Sequence, residues 1–283
     1  MIDLTAEISM RLPLTLLITC KNERANIGPC IDSACAIADE VLVADSGSTD
    51  GTLEYVRARG DCRIIEREYV TAGDFKNWAL PQARYDWLLV LDADERATPE
   101  LCDEIRDILA NTPQHDGYFI RRANHLMGHK VRYSDWGRDW VLRLFRRDVC
   151  HFDGPSDHGS VHVRTGNAGR LRYPMEHYTI WTWEQYLKKF DRYTRIQAEQ
   201  WRETGRPASF WRMAFQPPLR FLRDYVLHLG FLEGAKGLQL AWMSAFYTFM
   251  KQARLWEERH GLKQVDVEPQ AIARAERRTR DAA

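Results

Sequence analysis

The stretch LLVLDADE, residues 88–95, is an apolar run that ends in three acids. Asp92 and Asp94 stand two positions apart, so a chain that turns off a strand here can direct both carboxylates at one cation. Mg²⁺ and Mn²⁺ suit such a pair, since they bind one or two carboxylates while the phosphates of a substrate complete the coordination shell. A strand that runs into a solvated loop would look the same, because Asp-x-Asp arises by chance in many loops.

Two further polar clusters follow apolar runs earlier in the chain, TCKNE from Thr19 and DSGSTDGT from Asp45. Glycine, serine and aspartate are common in ordinary turns. The same residues could bind a nucleotide, with Asp45 accepting hydrogen bonds from a base and Ser46 lying beside a ribose. Asn22 and Glu23 could serve in a similar way. The clusters therefore indicate either loop chemistry or a nucleotide site.

The first part of the chain alternates between strand-like and helix-like segments. Strands are predicted over LTLLIT (14–19), EVLVAD (40–45), RIIERE (63–68) and WLLVL (87–91), and helices over 27–37, 53–59, 75–83 and 99–109. Thr98-Pro99 is a favourable start for the last helix. Strands that are apolar on both sides predict a mostly parallel sheet covered by helices on both faces. In such a sheet, ligands bind beyond the carboxyl ends of the strands, where the three polar clusters fall.

The composition narrows the classes of protein. Of 283 residues, 45% are apolar and 28% charged, and the formal net charge is zero. This is ordinary for a globular protein and gives no general reason to expect nucleic acid as a partner. Positive charge is local, since residues 181–260 contain thirteen Lys or Arg against eight acids. The best candidate for a membrane span, Leu238–Met250, is thirteen residues long, short of the roughly twenty that spanning needs.

The second half of the chain changes character. From about Trp183 the sequence reads as helical and aromatic, and LRFLRDYVLHLG places Leu219, Leu222, Val226 and Leu229 on one helical face. Aromatic-rich helices of this kind are most often part of a core. Their Trp, Phe and Arg content also suits contact with an anionic membrane surface, and both interpretations stay open.

The polar clusters carry a family resemblance. TCKNE, VADSGSTDGT, GDFKNWAL and WLLVLDADE, in this order, resemble the family 2 glycosyltransferases, which use nucleotide-sugar donors and have the GT-A fold. DWGRDWVLRLFRR, EHYTIWTWEQYLKKFDRY and FLRDYVLHLGFLEGAKGL resemble a narrower branch that includes the bacterial lipopolysaccharide inner-core β-glycosyltransferases. The resemblance implies a Rossmann-like α/β GT-A domain with a mostly parallel central sheet over residues 1–180. A helical, acceptor- or membrane-proximal region over 181–260 and a charged tail over 261–283 would follow.

The resemblance also implies roles for single residues. Asp94 would be the direct metal ligand at the donor diphosphate, with Asp92 as the other member of the DxD motif and His177 as a further ligand. The metal would be Mn²⁺ or Mg²⁺, and an imidazole ligand suits Mn²⁺ better. The donor-binding residues would be Thr19, Asn22, Glu23, Asp45, Ser46, Lys76, Asn77 and Asp92.

The general base departs from the pattern of the branch. Its members carry His-Glu ahead of a Val-rich strand, with the Glu as the expected base, whereas this chain reads GPSDHGSVHV with Gly159 at that position. Asp157 is the expected base, because a carboxylate could act from a slightly shifted backbone; His158 and Asp153 are the alternatives. Removal of the acceptor's proton by this base would allow one displacement that inverts the anomeric configuration.

The sequence therefore predicts a cytoplasmic, metal-dependent, inverting hexosyltransferase. It would move glucose or another hexose from a UDP-linked donor to a lipopolysaccharide core or related surface glycan. Peripheral contact with the inner face of the cytoplasmic membrane is a further expectation, and nucleic acid is not an expected partner. One rival is a nucleotidyltransferase, against which the Gly-poor TCKNERANIG counts. The other is a catalytically inactive scaffold that binds nucleotide or glycan, for which Gly159 is the only support.

Overall fold

The computed structural model describes residues 12–153 and 161–260. The expected base Asp157, its alternative His158 and the substituted Gly159 lie outside the described residues. The chain divides into two compact units, of which the first ends at Trp183 and the second begins at Glu184.

The first unit is built on a large sheet. Its described strands are β1 (Leu12–Cys20), β2 (Ala38–Asp45), β3 (Arg63–Glu66), β4 (Trp87–Asp92), β5 (Glu95–Ala97), β6 (Gly117–Leu126), β7 (His129–Lys130), β8 (Trp140–Arg146), β9 (Cys150–Phe152), β10 (Val161–Val163), β11 (Ala168–Arg170) and β12 (Met175–Ile180). Ten of them form one sheet in the order β3-β2-β1-β4-β8-β6-β12-β5, with β7 and β11 paired to β6. The first four strands are mutually parallel, whereas β8 and β5 join antiparallel. Strands β9 and β10 form a separate antiparallel pair.

Helices cover both faces of this sheet. They are α1 (Ile27–Ala34), α2 (Thr52–Arg59), α3 (Ala72–Ala79) and α4 (Pro99–Ala110). Leu16 of β1 belongs to one buried cluster, together with Ile31 of α1 and Leu101 of α4. The next residue along the strand, Leu17, belongs to the opposite cluster with Phe75 of α3. The mostly parallel sheet with helices on both faces is thus confirmed, because strands buried on both sides need two apolar layers.

The helix starts follow from capping. The Thr98 hydroxyl accepts a hydrogen bond from the Leu101 backbone N–H (3.2 Å), with Pro99 at the first helical position, as predicted. The Thr71 hydroxyl likewise accepts from the Asp74 N–H (3.2 Å). This cap starts α3 three residues earlier than the pattern around FKNWAL predicts, because it satisfies a backbone donor that the first turn leaves open.

Glu40 is a buried carboxylate at the far end of β2 from the polar loops. It accepts hydrogen bonds from the Thr15 hydroxyl (2.6 Å), the Arg84 backbone N–H (2.6 Å) and Arg63 Nε (2.9 Å). Burial alone would raise the pKa of Glu40, but these three donors outweigh it and lower the pKa below its usual value. The carboxylate therefore joins β1, β2 and β3 most strongly when it is ionised.

We expect Glu40→Gln to lower the free energy of unfolding at pH 7 by about 2 kcal/mol, because hydrogen bonds to a charged group are lost. A folded-state pKa below the unfolded value gives stability that is present above the unfolded pKa and is lost as pH falls through the folded pKa. The difference between wild type and variant should therefore be constant above about pH 5 and shrink below about pH 4. Urea melts across this range measure it, and Glu54→Gln on the exposed side of α2 is the control. A difference that does not change with pH would contradict this assignment.

The second unit is helical, with α5 (Trp183–Glu203), α6 (Phe210–Leu222) and α7 (Ala235–His260). The helical pattern predicted through LRFLRDYVLHLG is interrupted, because α6 gives way to a wider π turn over Arg223–Leu227. The tight return to α7 requires glycine: a Cβ on Gly237 would lie 1.7 Å from the Gly230 carbonyl oxygen. Within residues 12–153 and 161–260, no helix has both the length and the apolar content that crossing a bilayer requires.

Candidate active site

The carboxyl ends of β1, β2 and β4 lie side by side. In the sheet register, Cys20 of β1 is the partner of Asp45 on β2, and Thr19 is the partner of Asp92 on β4. The Thr19 hydroxyl also donates a hydrogen bond to Asp92 Oδ1 (3.0 Å). The three polar clusters that the sequence predicts at one edge of the sheet are therefore brought together there.

Asp45 shapes the loop after β2. Its side chain is fully buried, and Oδ1 accepts hydrogen bonds from the backbone N–H groups of Gly47 and Ser48 (both 2.8 Å), while Oδ2 accepts from the Ser48 hydroxyl. Ser46 is buried beside it, and its hydroxyl donates to the Cys20 carbonyl oxygen (3.2 Å). Both carboxylate oxygens of Asp45 are engaged within the loop, so contact with a nucleotide base stays a prediction.

The loop after β1 is joined to the loop after β2. The Asn22 amide oxygen accepts a hydrogen bond from the Thr49 N–H (2.7 Å), and the Glu23 N–H donates to the Thr52 hydroxyl (2.9 Å). The Glu23 carboxylate accepts from the Asn26 amide (2.8 Å). These hydrogen bonds join the two loops into one wall of the candidate site. Whether Asn22 and Glu23 also contact a donor stays a prediction.

Lys76 and Asn77 on α3 face different neighbours. Lys76 Nζ lies 2.7 Å from Asp92 Oδ1, with only 12% of its side chain exposed. Asn77 is bonded at both ends of its amide to Phe152 of β9: its Nδ2 donates to the carbonyl oxygen and its Oδ1 accepts from the N–H, each at 2.9 Å. The Asn77 amide thus holds β9 against α3, and the predicted contact of Asn77 with the donor stays a prediction.

Asp92 is the centre of a charge cluster. Arg143 of β8 donates to its Oδ2 on the side opposite Lys76. Burial would raise the pKa of Asp92, but the positive charges of Arg143 and Lys76 outweigh it and hold the pKa well below its usual range. Both oxygens of this carboxylate have cationic or hydroxyl partners. This geometry favours Asp94 over Asp92 as the metal ligand.

From the sequence, Glu95 and Arg96 would belong to the turn before the Thr98-Pro99 helix start. In the structure, Glu95 is instead the first residue of β5. It is completely buried, and its Oε1 lies 2.6 Å from Arg143 Nη2 and 3.6 Å from Arg122 Nη1. Its Oε2 accepts a hydrogen bond from the Asp92 N–H (3.0 Å). Two carboxylates, Asp92 and Glu95, thus share the Arg143 guanidinium and fix the turn between them, which carries Asp94.

Asp94 meets His177 at the tip of that turn. His177 Nε2 lies 3.6 Å from Asp94 Oδ2, and each side chain is more than four-fifths buried. The His177 Nδ1 is 2.5 Å from the Asn124 amide oxygen. Asn124 Nδ2 donates a hydrogen bond to the Trp136 carbonyl oxygen (2.6 Å). The amide oxygen of Asn124, Oδ1, is therefore the atom that accepts a hydrogen bond from His177. His177 Nδ1 therefore carries a proton, and Nε2 is the ring nitrogen that faces Asp94.

This arrangement fits a divalent metal. An imidazole whose second nitrogen donates to a fixed acceptor is the usual form of a metal-ligating histidine. A carboxylate and a neutral imidazole within 3.6 Å of each other can bind one ion, and Mn²⁺ accepts both ligand types. His177 and Asp94 are therefore the residues that could hold the metal.

The three candidates for the general base, Asp153, Asp157 and His158, follow β9 in the sequence. Asp157 and His158 lie outside the described residues. Asp153, the third candidate, has its Oδ2 2.6 Å from His162 Nε2 of β10, and both side chains are half exposed. Since Asn77 tethers the neighbouring Phe152 to α3, the strand that precedes the three candidates is anchored next to Lys76.

The sequence-based predictions miss the roles of two residues of the site. The arginines of VLRLFRR read as a solvated face or as contacts to an anionic acceptor, whereas Arg143 is buried between Asp92 and Glu95. Arg143 lies inside the apolar run VLRLF, and a cation in a buried strand implies a carboxylate partner, which is the signal that could have identified it. Asn124 in RRANHL has no such signal. It reaches His177 only because β6 and β12 pair in the register that places these two residues side by side.

Comparisons with known proteins identify the family of the chain. A family model described as glycosyl transferase family 2 matches residues 15–153. The chain is 31% identical over 258 residues to the lipopolysaccharide core biosynthesis glycosyltransferase LpsC of Rhizobium meliloti (strain 1021), covering 89% of this chain and 95% of that protein. It is 29% identical over 253 residues to an uncharacterized glycosyltransferase of Rickettsia typhi (strain ATCC VR-144 / Wilmington), covering 86% of each.

The fold is also similar to that of a solved structure. Glucosyl-3-phosphoglycerate synthase from Mycobacterium tuberculosis, in complex with phosphoglyceric acid, matches with a TM-score of 0.50 over 70% of this chain and 82% of that chain. The sequence identity is 16%, so the likeness concerns the fold alone. Together with the sheet order, it confirms the GT-A fold that the sequence predicts.

Proposed function

Because the chain belongs to glycosyltransferase family 2, we propose that it is an inverting, metal-dependent hexosyltransferase with a UDP-linked donor. The acceptor would be a lipopolysaccharide core or a related surface glycan, an inference supported by the name of the Rhizobium relative. The observation that carries the proposal is the Asp94–His177 pair at the end of β4, beside the loops of β1 and β2. The protein would act in the cytoplasm, where nucleotide sugars are available.

Asp94 and His177 would hold Mn²⁺ or Mg²⁺ against the donor diphosphate. When bound, the metal would act as a Lewis acid that offsets the charge of the leaving diphosphate. Lys76, buried beside Asp92, places a second positive charge at the same strand end. Asp92, whose oxygens are occupied by Lys76, Arg143 and Thr19, would position this wall of the site rather than bind the metal.

The acceptor hydroxyl would be deprotonated by a residue of the segment that follows β9. Direct attack of that oxygen on the anomeric carbon, with departure of the nucleoside diphosphate on the opposite side, inverts the configuration in one step. A nucleophilic residue of the enzyme is not required. Asp157 is our choice of base, with His158 and Asp153 as the alternatives.

We expect Asp157→Asn to reduce kcat by about 10²- to 10⁴-fold, the usual contribution of a general base, with the affinity for the donor unchanged. Single-turnover kinetics with saturating donor measures the effect. His158→Ala and Asp153→Asn are the matched variants, each of which should retain most of the activity. Near-normal transfer by Asp157→Asn, together with loss of transfer in His158→Ala or Asp153→Asn, would reassign the base.

Asn124→Leu should weaken metal binding by about 10- to 100-fold, because His177 loses the acceptor that fixes its tautomer and ring orientation. Titration of Mn²⁺ by electron paramagnetic resonance measures the affinity directly, without turnover. Asn124→Asp keeps an acceptor for His177 Nδ1 but loses the donor to Trp136 and Asp139, so it should be less stable and still retain most of the metal affinity. Equal affinities of wild type and Asn124→Leu would show that Asn124 does not orient His177 for the metal.

The class of reaction can be tested by a thermal-shift screen of nucleotide sugars with and without Mn²⁺. A donor present at 100 times its Kd stabilises the folded state by about 2.7 kcal/mol, and we expect one UDP-hexose to do so only with metal. The stabilisation should disappear in Asp94→Ala. Stabilisation without turnover in a transfer or hydrolysis assay would favour the inactive scaffold, and no stabilisation by any donor would refute the proposal.

A further inference from the structure

The second unit exposes an apolar stripe on α6 and the turn that follows it. Trp211, Phe215, Leu219, Leu222 and Val226 recur at intervals of four, four, three and four residues, the spacing of one helical face. All five side chains are exposed, Trp211 at 68% and Leu219 at 62%. The apolar face predicted from the sequence is thus present, but it does not pack into the core.

A second stripe runs along α7. Leu238, Trp242, Phe246 and Phe249 recur at intervals of four, four and three residues, and all four are exposed, Trp242 at 61%. Leu240, on the other side of the helix, is fully buried. The helix therefore has one apolar side that packs inside the protein and another that faces outwards.

The two stripes form one surface. Side chains from both helices line a shared groove of about 430 Å³, among them Pro217, Pro218, Leu222, Trp242, Phe246 and Phe249. The rings of Phe221 and Trp242 lie 4.8 Å apart at the base of the contact between α6 and α7. A continuous apolar surface of this kind usually marks a site of interaction. We call it the α6–α7 apolar surface.

The segments that carry this surface are positively charged. Residues 210–256 contain six Lys or Arg against two acids. One of the two acids, Asp224, is buried, with its Oδ2 2.9 Å from Arg220 Nε. Arg212 directly follows Trp211, and Lys236 precedes the stripe on α7. Among these cations, Arg220 is paired with Asp224 and Arg254 with Asp191. Arg212 and Lys236 are the cations that accompany the two apolar stripes directly.

We propose that the α6–α7 apolar surface docks on an anionic lipid bilayer. Tryptophan and phenylalanine suit the boundary between headgroups and acyl chains, and arginine and lysine are attracted by anionic headgroups. A second copy of the chain fits less well, because a symmetric contact would bring the same cations of both copies together. This proposal goes beyond sugar transfer and is tested without donor or acceptor.

Co-sedimentation of the full chain with vesicles tests it. The wild type should bind vesicles of phosphatidylethanolamine with phosphatidylglycerol at least about tenfold more strongly than vesicles of phosphatidylcholine, and high salt should weaken the binding. Trp211→Ser combined with Trp242→Ser should lower binding by about tenfold or more. Both side chains are exposed, so the melting temperature should stay near that of the wild type. Val70→Ser, which removes an apolar side chain 65% exposed in the first unit, is the matched control.

The charge contribution is tested separately. Arg212→Gln combined with Lys236→Gln should lower binding to the anionic vesicles by on the order of tenfold and leave the weak binding to phosphatidylcholine unchanged. Two results would overturn the proposal: a wild type that does not sediment with anionic vesicles, or a tryptophan variant that binds as the wild type does. A lipid-free wild-type dimer that the tryptophan variant converts to monomer would assign the surface to a second copy.

Discussion

Replacing Arg143 with methionine should lower the free energy of unfolding by about 3–5 kcal/mol, the usual cost of leaving a buried charge without its partner. Arg143 is 5% exposed and lies between the carboxylates of Asp92 and Glu95. Burial would lower the pKa of Arg143, but the two carboxylates raise it, so the guanidinium is always charged. Its removal leaves the Glu95 carboxylate with the longer contact to Arg122 and the hydrogen bond from the Asp92 N–H. Urea denaturation at pH 7 measures the loss.

The matched control for this prediction is Arg146→Met on the same strand. Arg146 forms its ion pairs with Asp148 and Asp116 near the surface, and its side chain is 42% exposed. Exposed pairs of this kind contribute about 0–1 kcal/mol. Combining Arg143→Met with Glu95→Gln should recover part of the stability, because the unpaired carboxylate is removed as well. Equal stabilities of Arg143→Met and Arg146→Met would contradict the proposed role.

Asp94→Asn should reduce kcat by at least about 10³-fold, since the metal contributes several kcal/mol to stabilising the charge of the leaving group. The change is nearly isosteric, so the fold should be retained. Affinity for nucleoside diphosphate without metal should be close to that of the wild type, whereas the gain in affinity on adding Mn²⁺ should be lost. Steady-state kinetics and calorimetric titration of UDP with and without Mn²⁺ measure these effects.

Asp139→Asn provides a comparison carboxylate in the same unit. Asp139 accepts hydrogen bonds from Arg122 Nε (2.7 Å) and Asn124 Nδ2 (3.2 Å). This variant should keep metal-dependent binding of the nucleotide, with at most a small loss through Asn124. If Asp94→Asn retained metal-dependent turnover, the metal would have to be bound elsewhere and the site proposed here would be wrong.

Local sequence patterns predict most of the first unit. The four predicted strands form β1 to β4, and the intervening helices form within a few residues of their predicted positions. These elements are predictable because their signals are local: apolar runs of strand length, threonine caps, and a proline at the first helical position. The meeting of Thr19, Asp45 and Asp92 follows as well, since parallel neighbouring strands end at the same edge.

Prediction from the sequence is less successful where the fold pairs strands that lie far apart in the chain. The sequence indicates neither that β8 inserts antiparallel between β4 and β6 nor that Arg143 reaches Asp92 and Glu95 as a result. Glu95 reads as a turn residue in the sequence, because nothing nearby reveals that β5 pairs with β12. Such pairings depend on the relative energies of whole strands in competing registers, which a window of a few residues does not contain.

The sequence by itself determined the class of fold and the strand ends at which the polar clusters meet, because both rest on local pattern. That Asp92 and Asp94 act as a DxD pair stays a prediction. Only the tertiary structure decided which partners each of these residues contacts. In the structure, the Asp92 carboxylate pairs with Arg143 and Lys76, and Asp94 lies next to His177. The tautomer of His177 is fixed by its hydrogen bond to Asn124. The physical reason is that buried charges and imidazole protons are set by their partners, and these partners lie as far apart in the chain as residues 76 and 143 or 94 and 177.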